Sequence, residues 1–285
     1  MITQPDRPAG RGRGLKASPV KQLALKHDLK IFQPEKFNTQ AFRQVLEDIR
    51  LDLIVVVAYG KIFRPKSLAI PRLGCVNLHP SLLPKYRGVA PVNWALINGE
   101  RETGVTTFFM DEGVDTGDII LSRHTAIGEE ETAGQLLARL AVVGADLLAE
   151  TCDLIARGEA GRAKQDDSLA SYAPKFSKED GKIRWGGPAG VVHNHMRGVT
   201  PWPGAFTWFR DQQVKIIQSG LSERGSGGPG EVIEVDSSHG LLVSCGSGAL
   251  WLRTLQAEGR KPIGGADFAR GYRVRVGEVF GGATE

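Results

Sequence analysis

Residues 51–58 are the stretch that most limits what this chain can fold into. Apart from Asp52 they are apolar and rich in β-branched side chains, and the run stops at Tyr59-Gly60, where the chain must change direction. A short segment of this kind is expected to be a strand covered on both faces of a parallel sheet. Just ahead of it, Phe42, Val45, Leu46 and Ile49 fall at i, i+3, i+4 and i+7, which predicts an amphipathic helix packing on something flat. Residues 75–78, 104–110 and 119–127 read as further strands and 91–97 as a helix, so the first half is α/β with a mainly parallel, Rossmann-like sheet.

From Thr132 the residues Leu136, Leu140, Val143 and Leu147 recur at helical steps, with Leu154 two turns on, until Arg157-Gly158 supplies a basic last turn and a C′ glycine. Ser18-Pro19 reads as the N-cap and first turn of an earlier helix, with Val20, Leu23 and Ala24 on one side. Residues 159–184 turn polar and read as a linker. Beyond them one helical stretch, 189–197, leads to short β-type runs at 205–209, 214–219, 230–235, 241–245 and 249–256. Strands this short, with Gly-rich turns, predict a small antiparallel, OB-like β-barrel. The expected division is 1–158 for the α/β domain, 159–184 for the linker and 185–285 for the barrel.

The longest uninterrupted apolar run, Leu53 to Tyr59, is seven residues, where a bilayer needs about 20. The N-terminus lacks a basic-then-apolar leader pattern, and Cys75, Cys152 and Cys245 are odd in number with no CxxC spacing. The expectation is a soluble cytoplasmic chain whose cysteines are structural thiols rather than zinc ligands. Net charge is +4 but unevenly placed: residues 1–30 hold seven Lys or Arg against two Asp, and residues from Gly181 onward hold twelve against nine acids. Basic ends around an acidic centre suit a polyanion held at two places, or a merely solvated surface.

Two clusters can carry chemistry. In Asn77-Leu78-His79-Pro80-Ser81-Leu82-Leu83-Pro84-Lys85-Tyr86-Arg87-Gly88, a strand ends in an amide and an imidazole two residues apart and on one side, at the edge where open α/β sheets bind ligands. Both residue types also serve as turn formers. In Asp111-Glu112-Gly113-Val114-Asp115-Thr116-Gly117-Asp118, glycines and aspartates allow a tight loop that faces a flat polar ligand with backbone groups and leaves a carboxylate to handle a proton; a plain acidic turn has the same composition.

Together, with Asp115 following His79 by 36 residues, these clusters resemble the 10-formyltetrahydrofolate-dependent formyltransferase family. The likeness extends through Val56-Val57-Ala58-Tyr59-Gly60, Tyr172-Ala173-Pro174-Lys175 and Pro201-Trp202-Pro203, and the loop Thr3 to Arg13 is similar to that of the branch acting on methionyl-tRNA. The resemblance implies Asn77, His79 and Asp115 as catalytic residues. Ser81, Leu82, Leu83 and Pro84, with Tyr59 and Gly60, would form the site for the co-substrate 10-formyltetrahydrofolate. Arg7, Arg11, Arg13 and Lys16 would meet initiator methionyl-tRNA, Arg11 reaching its acceptor end, and the barrel would add salt-sensitive contacts. The chain is expected to be a monomer and to need no metal, and His193-Asn194-His195 is not expected to bind one. Moving a formyl group onto an amine passes through a tetrahedral oxyanion, which needs a preorganised donor and a proton acceptor; Asn77 and His79 fit the first need, and Asp115 can orient His79 or relay the proton.

The resemblance also implies that a strand and helix of roughly 30 residues should precede Ile2. Losing a central strand uncovers apolar sheet, so the expectation is that Met1 is an incorrect or internal start and the native polypeptide is longer. Two other readings stay open: a formyltransferase acting on a sugar-nucleotide amine, or a 10-formyltetrahydrofolate hydrolase, neither needing the basic loop; and an inactive chain that only binds tRNA or folate.

Overall fold

The structure is a computed structural model that describes residues 1–9 and 14–281. A pair of short strands, β1 (Arg7–Ala9) and β2 (Gly14–Lys16), runs antiparallel with Arg7 opposite Lys16. Helix α1 (Pro19–Lys26) begins where expected: Ser18 Oγ accepts the Lys21 N–H at 3.1 Å and Pro19 occupies the first turn. Helix α2 (Gln40–Ile49) starts on Thr39, whose Oγ1 accepts the Phe42 N–H. Then follow β3 (Ile54–Val56), α3 (Pro65–Leu68), β4 (Cys75–His79), β5 (Arg87–Gly88), α4 (Pro91–Ile97), β6 (Glu102–Phe109), β7 (Ile119–Ala126) and the long α5 (Ala133–Arg157). Gly158 ends α5 at φ +71, a conformation costly for any side chain.

The chain forms two compact units. The first comprises Met1–His79, Thr107–Leu121 and Leu148–Gln165; the second comprises Pro80–Thr106, Ser122–Leu147 and Asp166–Glu285. A four-stranded sheet has the order β3-β4-β6-β7, with β3 and β4 parallel in the register Ile54–Cys75, Val55–Val76 and Val56–Asn77. Ile54, Val56 and Cys75 bury one face of it against Phe37, Leu46 and Phe63. The other face departs from expectation. Val55 is 41% and Val57 52% exposed, so β3 is covered on one side only among the described residues. On α1, Val20 and Leu23 are likewise exposed and only Ala24 is buried, because its apolar side meets no second layer there.

In the second unit β8 (Tyr172–Ala173) pairs with β5 in parallel, and α6 (Ala189–Gly198) leads to β9 (Ala205–Phe209), β10 (Gln212–Ser222), β11 (Val232–Asp236), β12 (Gly240–Ser244), β13 (Ala249–Ala257), β14 (Ile263–Gly264) and α7 (Gly265–Tyr272). The strands form one antiparallel sheet in the order β11-β12-β13-β10-β9, with β14 on β13. Phe280 bridges to Phe209 and Val279 to Glu231, so the segment after α7 links the two ends of the strand order and the sheet curls toward a barrel. Its interior holds Ile216, Leu241, Leu250, Leu252, Phe268 and Phe280, all nearly inaccessible. Phe176 and Ile183, from the polar stretch before α6, also join this core.

Candidate active site

Strand β4 carries Asn77 and His79 on one face, since side chains two residues apart share a side. His79 closes the strand and is buried. Across from it, Asp115 places Oδ2 3.6 Å from His79 Nδ1, with side-chain exposures of 6% for the imidazole and 12% for the carboxylate. The separation is slightly longer than a direct hydrogen bond, and both side chains are largely shielded from solvent.

The loop that presents Asp115 is held from several sides. Asp111 Oδ1 accepts from the Gly113 N–H at 3.0 Å and from Thr116 Oγ1 at 2.6 Å, folding the first half of the loop on itself. Asp115 lies at φ +56, a left-handed conformation that Asp tolerates better than most residues. A Cβ on Gly117 would fall 1.7 Å from the Phe109 carbonyl oxygen, which is why only glycine fits where the loop rejoins the sheet. Gln165 Nε2 donates to the carbonyls of Asp115, at 2.9 Å, and Gly117, at 2.8 Å, so one amide clamps the backbone on both sides of Thr116. The Arg162 guanidinium stacks 3.7 Å from the centre of the Phe109 ring and lies 3.9 Å from Asp118, closing the base of the loop.

Residues 81–84 belong to the second unit, where Thr106 organises them. Its Oγ1 donates to the Ser81 carbonyl at 2.7 Å and accepts the Leu83 N–H at 3.3 Å. Ser81 is fully buried, and its hydroxyl donates to the Lys85 carbonyl at 2.7 Å, so its side chain shapes the turn. Leu83 is buried, and Leu82 and Pro84 are partly exposed. Nearby in sequence, Arg87 is buried with its guanidinium 2.8 Å from Asp167, and burial pushes the Tyr86 phenol up to about 12 while its hydroxyl donates to Glu100.

Tyr59 belongs to the first unit, packed edge-on against Phe37 and Phe63, and burial raises its phenol above the ordinary value. Its carbonyl accepts from Gln4 Nε2 at 2.7 Å. Gly60 follows at φ +70 and is exposed. Arg7 and Lys16 face solvent across the β1–β2 pair, while Arg11 and Arg13 lie outside the described residues.

Gln165 and Thr106 give no local sign of these roles in the sequence. Each is an ordinary polar residue in an uninformative context, Gln165 in a stretch read as linker. The histidines of α6 are engaged elsewhere: His193 sits between Ser219 Oγ and the Glu129 carbonyl, and His195 Nε2 donates to the Asp180 carbonyl at 2.7 Å. Among the described residues no three His, Cys, Asp or Glu side chains group as a metal site would require. Cys75 and Cys245 are buried thiols, which their surroundings push up to about 12.

Comparison with known proteins bears on the same elements. The family description "Formyl transferase" matches residues 1–152, and "Formyl transferase, C-terminal domain" matches 175–273. The methionyl-tRNA formyltransferase of Citrifermentans bemidjiense is 46% identical over 281 residues, 99% of this chain and 88% of the relative. The chain belongs to the methionyl-tRNA formyltransferase family.

A second methionyl-tRNA formyltransferase, from Geobacter sulfurreducens, is 47% identical over 283 residues, 99% of this chain and 89% of its own. The formyltransferase fold is also seen in WlaRD, a sugar 3N-formyl transferase solved in the presence of dTDP and 5-N-formyl-THF, at a TM-score of 0.65 and 23% identity, covering 85% of this chain and 82% of that one. HypX from Aquifex aeolicus in complex with tetrahydrofolic acid shares the fold at a TM-score of 0.62 and 17% identity, covering 89% of this chain and 44% of HypX. Asn77 and His79 lie at the end of β4, and Asp115 lies in the loop between β6 and β7. No helix among the described residues is long and apolar enough to cross a membrane.

Proposed function

We propose that this member of the family transfers the formyl group of 10-formyltetrahydrofolate to the amino group of methionyl-initiator tRNA, giving N-formylmethionyl-tRNA for translation initiation. The observation that carries the proposal is the near-contact of His79 with Asp115, 3.6 Å apart and shielded from water, on a strand that also presents Asn77. The amine attacks the formyl carbon, and the carbonyl oxygen gains negative charge in the tetrahedral intermediate. Asn77 and His79 supply hydrogen bonds to that oxygen, a preorganised contribution that grows as charge develops. The C–N10 bond then breaks. The folate nitrogen leaves with one proton and the attacking amine gives one up, so a group must move protons between them; that role is assigned to the His79–Asp115 pair, Asp115 acting directly or through water.

Residues 81–84, with Tyr59 and Gly60, are proposed to bind the folate, through backbone groups and the apolar faces of Leu82, Leu83 and Pro84 rather than through the internally bonded Ser81 hydroxyl. Arg7, Arg11, Arg13 and Lys16 are assigned to the tRNA, with residues 185–285 as a second contact region and 1–158 as the catalytic part, joined by 159–184. The enzyme is proposed to act as a cytoplasmic monomer without a metal. Measuring formyl transfer to methionyl-initiator tRNA beside a sugar-nucleotide amine tests the reading. Formylated tRNA supports it, and formylated sugar alone refutes it.

A further inference from the structure

Within the first unit, residues 35–39 and 60–64 line an open cleft of about 640 Å³. Asn38 ties the two segments together. Its Nδ2 donates to the Ile62 carbonyl at 2.8 Å, and its Oδ1 accepts the Arg64 N–H at 3.0 Å and the Ser67 hydroxyl at 3.1 Å. Arg43 Nη1 donates to the Asn38 carbonyl at 2.7 Å and holds the residue in place. Walls fixed in this way are preorganised, which lowers the cost of ordering them on binding.

The lining is strongly cationic. Lys36, Lys61 and Arg64 face a single acid, Glu35, and all four are exposed. None of the three cations takes part in an ion pair among the described residues, whereas Lys21 and Arg72 of the same unit are paired with Asp6 and Asp52. Between these charges lies Ile62, 71% exposed. Cations interleaved with an aliphatic surface suit a flexible chain that alternates carboxylates with methylenes better than they suit a compact inorganic anion. Gly60 fixes the position of the cleft along the chain: it lines the cleft and directly follows Tyr59, and both residues are assigned above to the folate.

A folate runs from its pterin through a benzoyl ring to a glutamate, and each further γ-linked glutamate adds one α-carboxylate and a pair of methylenes. We propose that the cleft is a subsite for the γ-glutamyl tail of polyglutamylated 10-formyltetrahydrofolate, with Lys36, Lys61 and Arg64 meeting its carboxylates and Ile62 its methylenes. The assignment rests on the folate reading of Tyr59 and Gly60. A nucleic-acid strand suits the same charges less well, because the ring that lines the cleft, Phe37, is 3% exposed and closed to base stacking. Exposed charge pairs are individually weak and screened by salt, so the subsite acts through several contacts at once. These contacts form far from the reacting carbon and are the same in the ground and transition states, so they lower KM and leave kcat unchanged.

The test measures Kd by equilibrium titration, and KM and kcat in the transfer assay, for 10-formyltetrahydrofolate as monoglutamate and as pentaglutamate. The pentaglutamate is expected to bind about tenfold more tightly at low salt with the same kcat, and the advantage should vanish at high salt. Combining Lys36→Gln, Lys61→Gln and Arg64→Gln should bring the two Kd values together, and Lys36→Glu alone should cut their ratio about threefold. A ratio taken within one enzyme cancels any general loss of folded protein. Equal affinities for the two forms in the unaltered chain overturn the proposal, as does a pentaglutamate advantage that survives the triple substitution. A triple variant that raises the KM for tRNA and leaves the pentaglutamate advantage intact overturns it too, by assigning these cations to the nucleic acid. Failure of the underlying folate reading is distinct: neither form then binds, and the subsite falls with it.

Discussion

Gln165 holds the carbonyl of Asp115 at 2.9 Å, so the placement of a candidate catalytic carboxylate depends on an amide 50 positions along the chain. The same Nε2 also takes the Gly117 carbonyl, which leaves the loop little freedom to swing Asp115 away from His79. Gln165→Ala should therefore lower kcat by about tenfold to a hundredfold while changing the KM for folate less than threefold, the pattern of a misplaced reacting group. Steady-state kinetics check this, and Gln165→Glu, which cannot donate, should behave like the alanine variant.

Asp115→Ala should abolish transfer while leaving folate affinity within about tenfold, because removing a proton-handling group costs roughly 10²–10⁴ in rate without emptying the binding pocket. Folate titration beside single-turnover transfer separates the two effects. An Asp115→Ala enzyme with near-normal turnover would remove the residue from the mechanism.

Gly117→Ala brings a methyl to 1.7 Å from the Phe109 oxygen, a backbone atom that cannot swing aside. The loop must shift, at a cost of about 1–3 kcal/mol, and activity should fall with it. Gly161→Ala is the control, since a Cβ there meets nothing within 4 Å. Thermal melts and the transfer assay on the two variants should diverge in the same direction.

Burial lowers the pKa of His193 and of His195, against weaker raising effects from the Glu129 and Asp180 carbonyls respectively. With an unfolded value of about 6.5, the unfolded state binds more protons at mildly acid pH. Stability from these groups is therefore complete above about pH 6.5 and is lost as pH falls through and below it. Melting temperature should drop between pH 7 and pH 5, and His193→Gln, which retains a donor for Glu129, should flatten part of that drop.

Arg11→Ala should weaken the tRNA-dependent reaction by about 1–3 kcal/mol and reduce its salt dependence, with folate binding unaffected. The assay is transfer measured across a series of salt concentrations. Unchanged kinetics would take Arg11 out of the tRNA contact.

Much of the architecture could be read from local pattern. Residues 205–209 and 91–97 have the bounds expected, because Pro91 starts a helix and the β-branched and aromatic run before Arg210 admits only a strand. Ser18 and Thr39 cap their helices through the expected side-chain bonds. Helix α7 leaves little mark in the sequence: it is eight residues long, contains two glycines, has no side-chain cap, and owes its helical form to burial of Phe268 and Ala269. Periodicity implied a second cover over Val55 and Val57 but could not show whether the described chain supplies it. In the candidate site, Asn77, His79 and Asp115 stood out as chemical types with the spacing the resemblance implies. Gln165 and Thr106 did not, because an amide or hydroxyl that bonds backbone from a distant segment leaves no local mark in a sequence.

The most direct measurement uses formyl-labelled 10-formyltetrahydrofolate, methionyl-initiator tRNA and a sugar-nucleotide amine in one reaction, with folate binding to the folded enzyme verified beforehand. The account predicts label in the tRNA, none in the sugar, and loss of transfer in Asp115→Ala enzyme that still binds folate. Label in the sugar, or released only as formate while the tRNA stays unmodified, would contradict it.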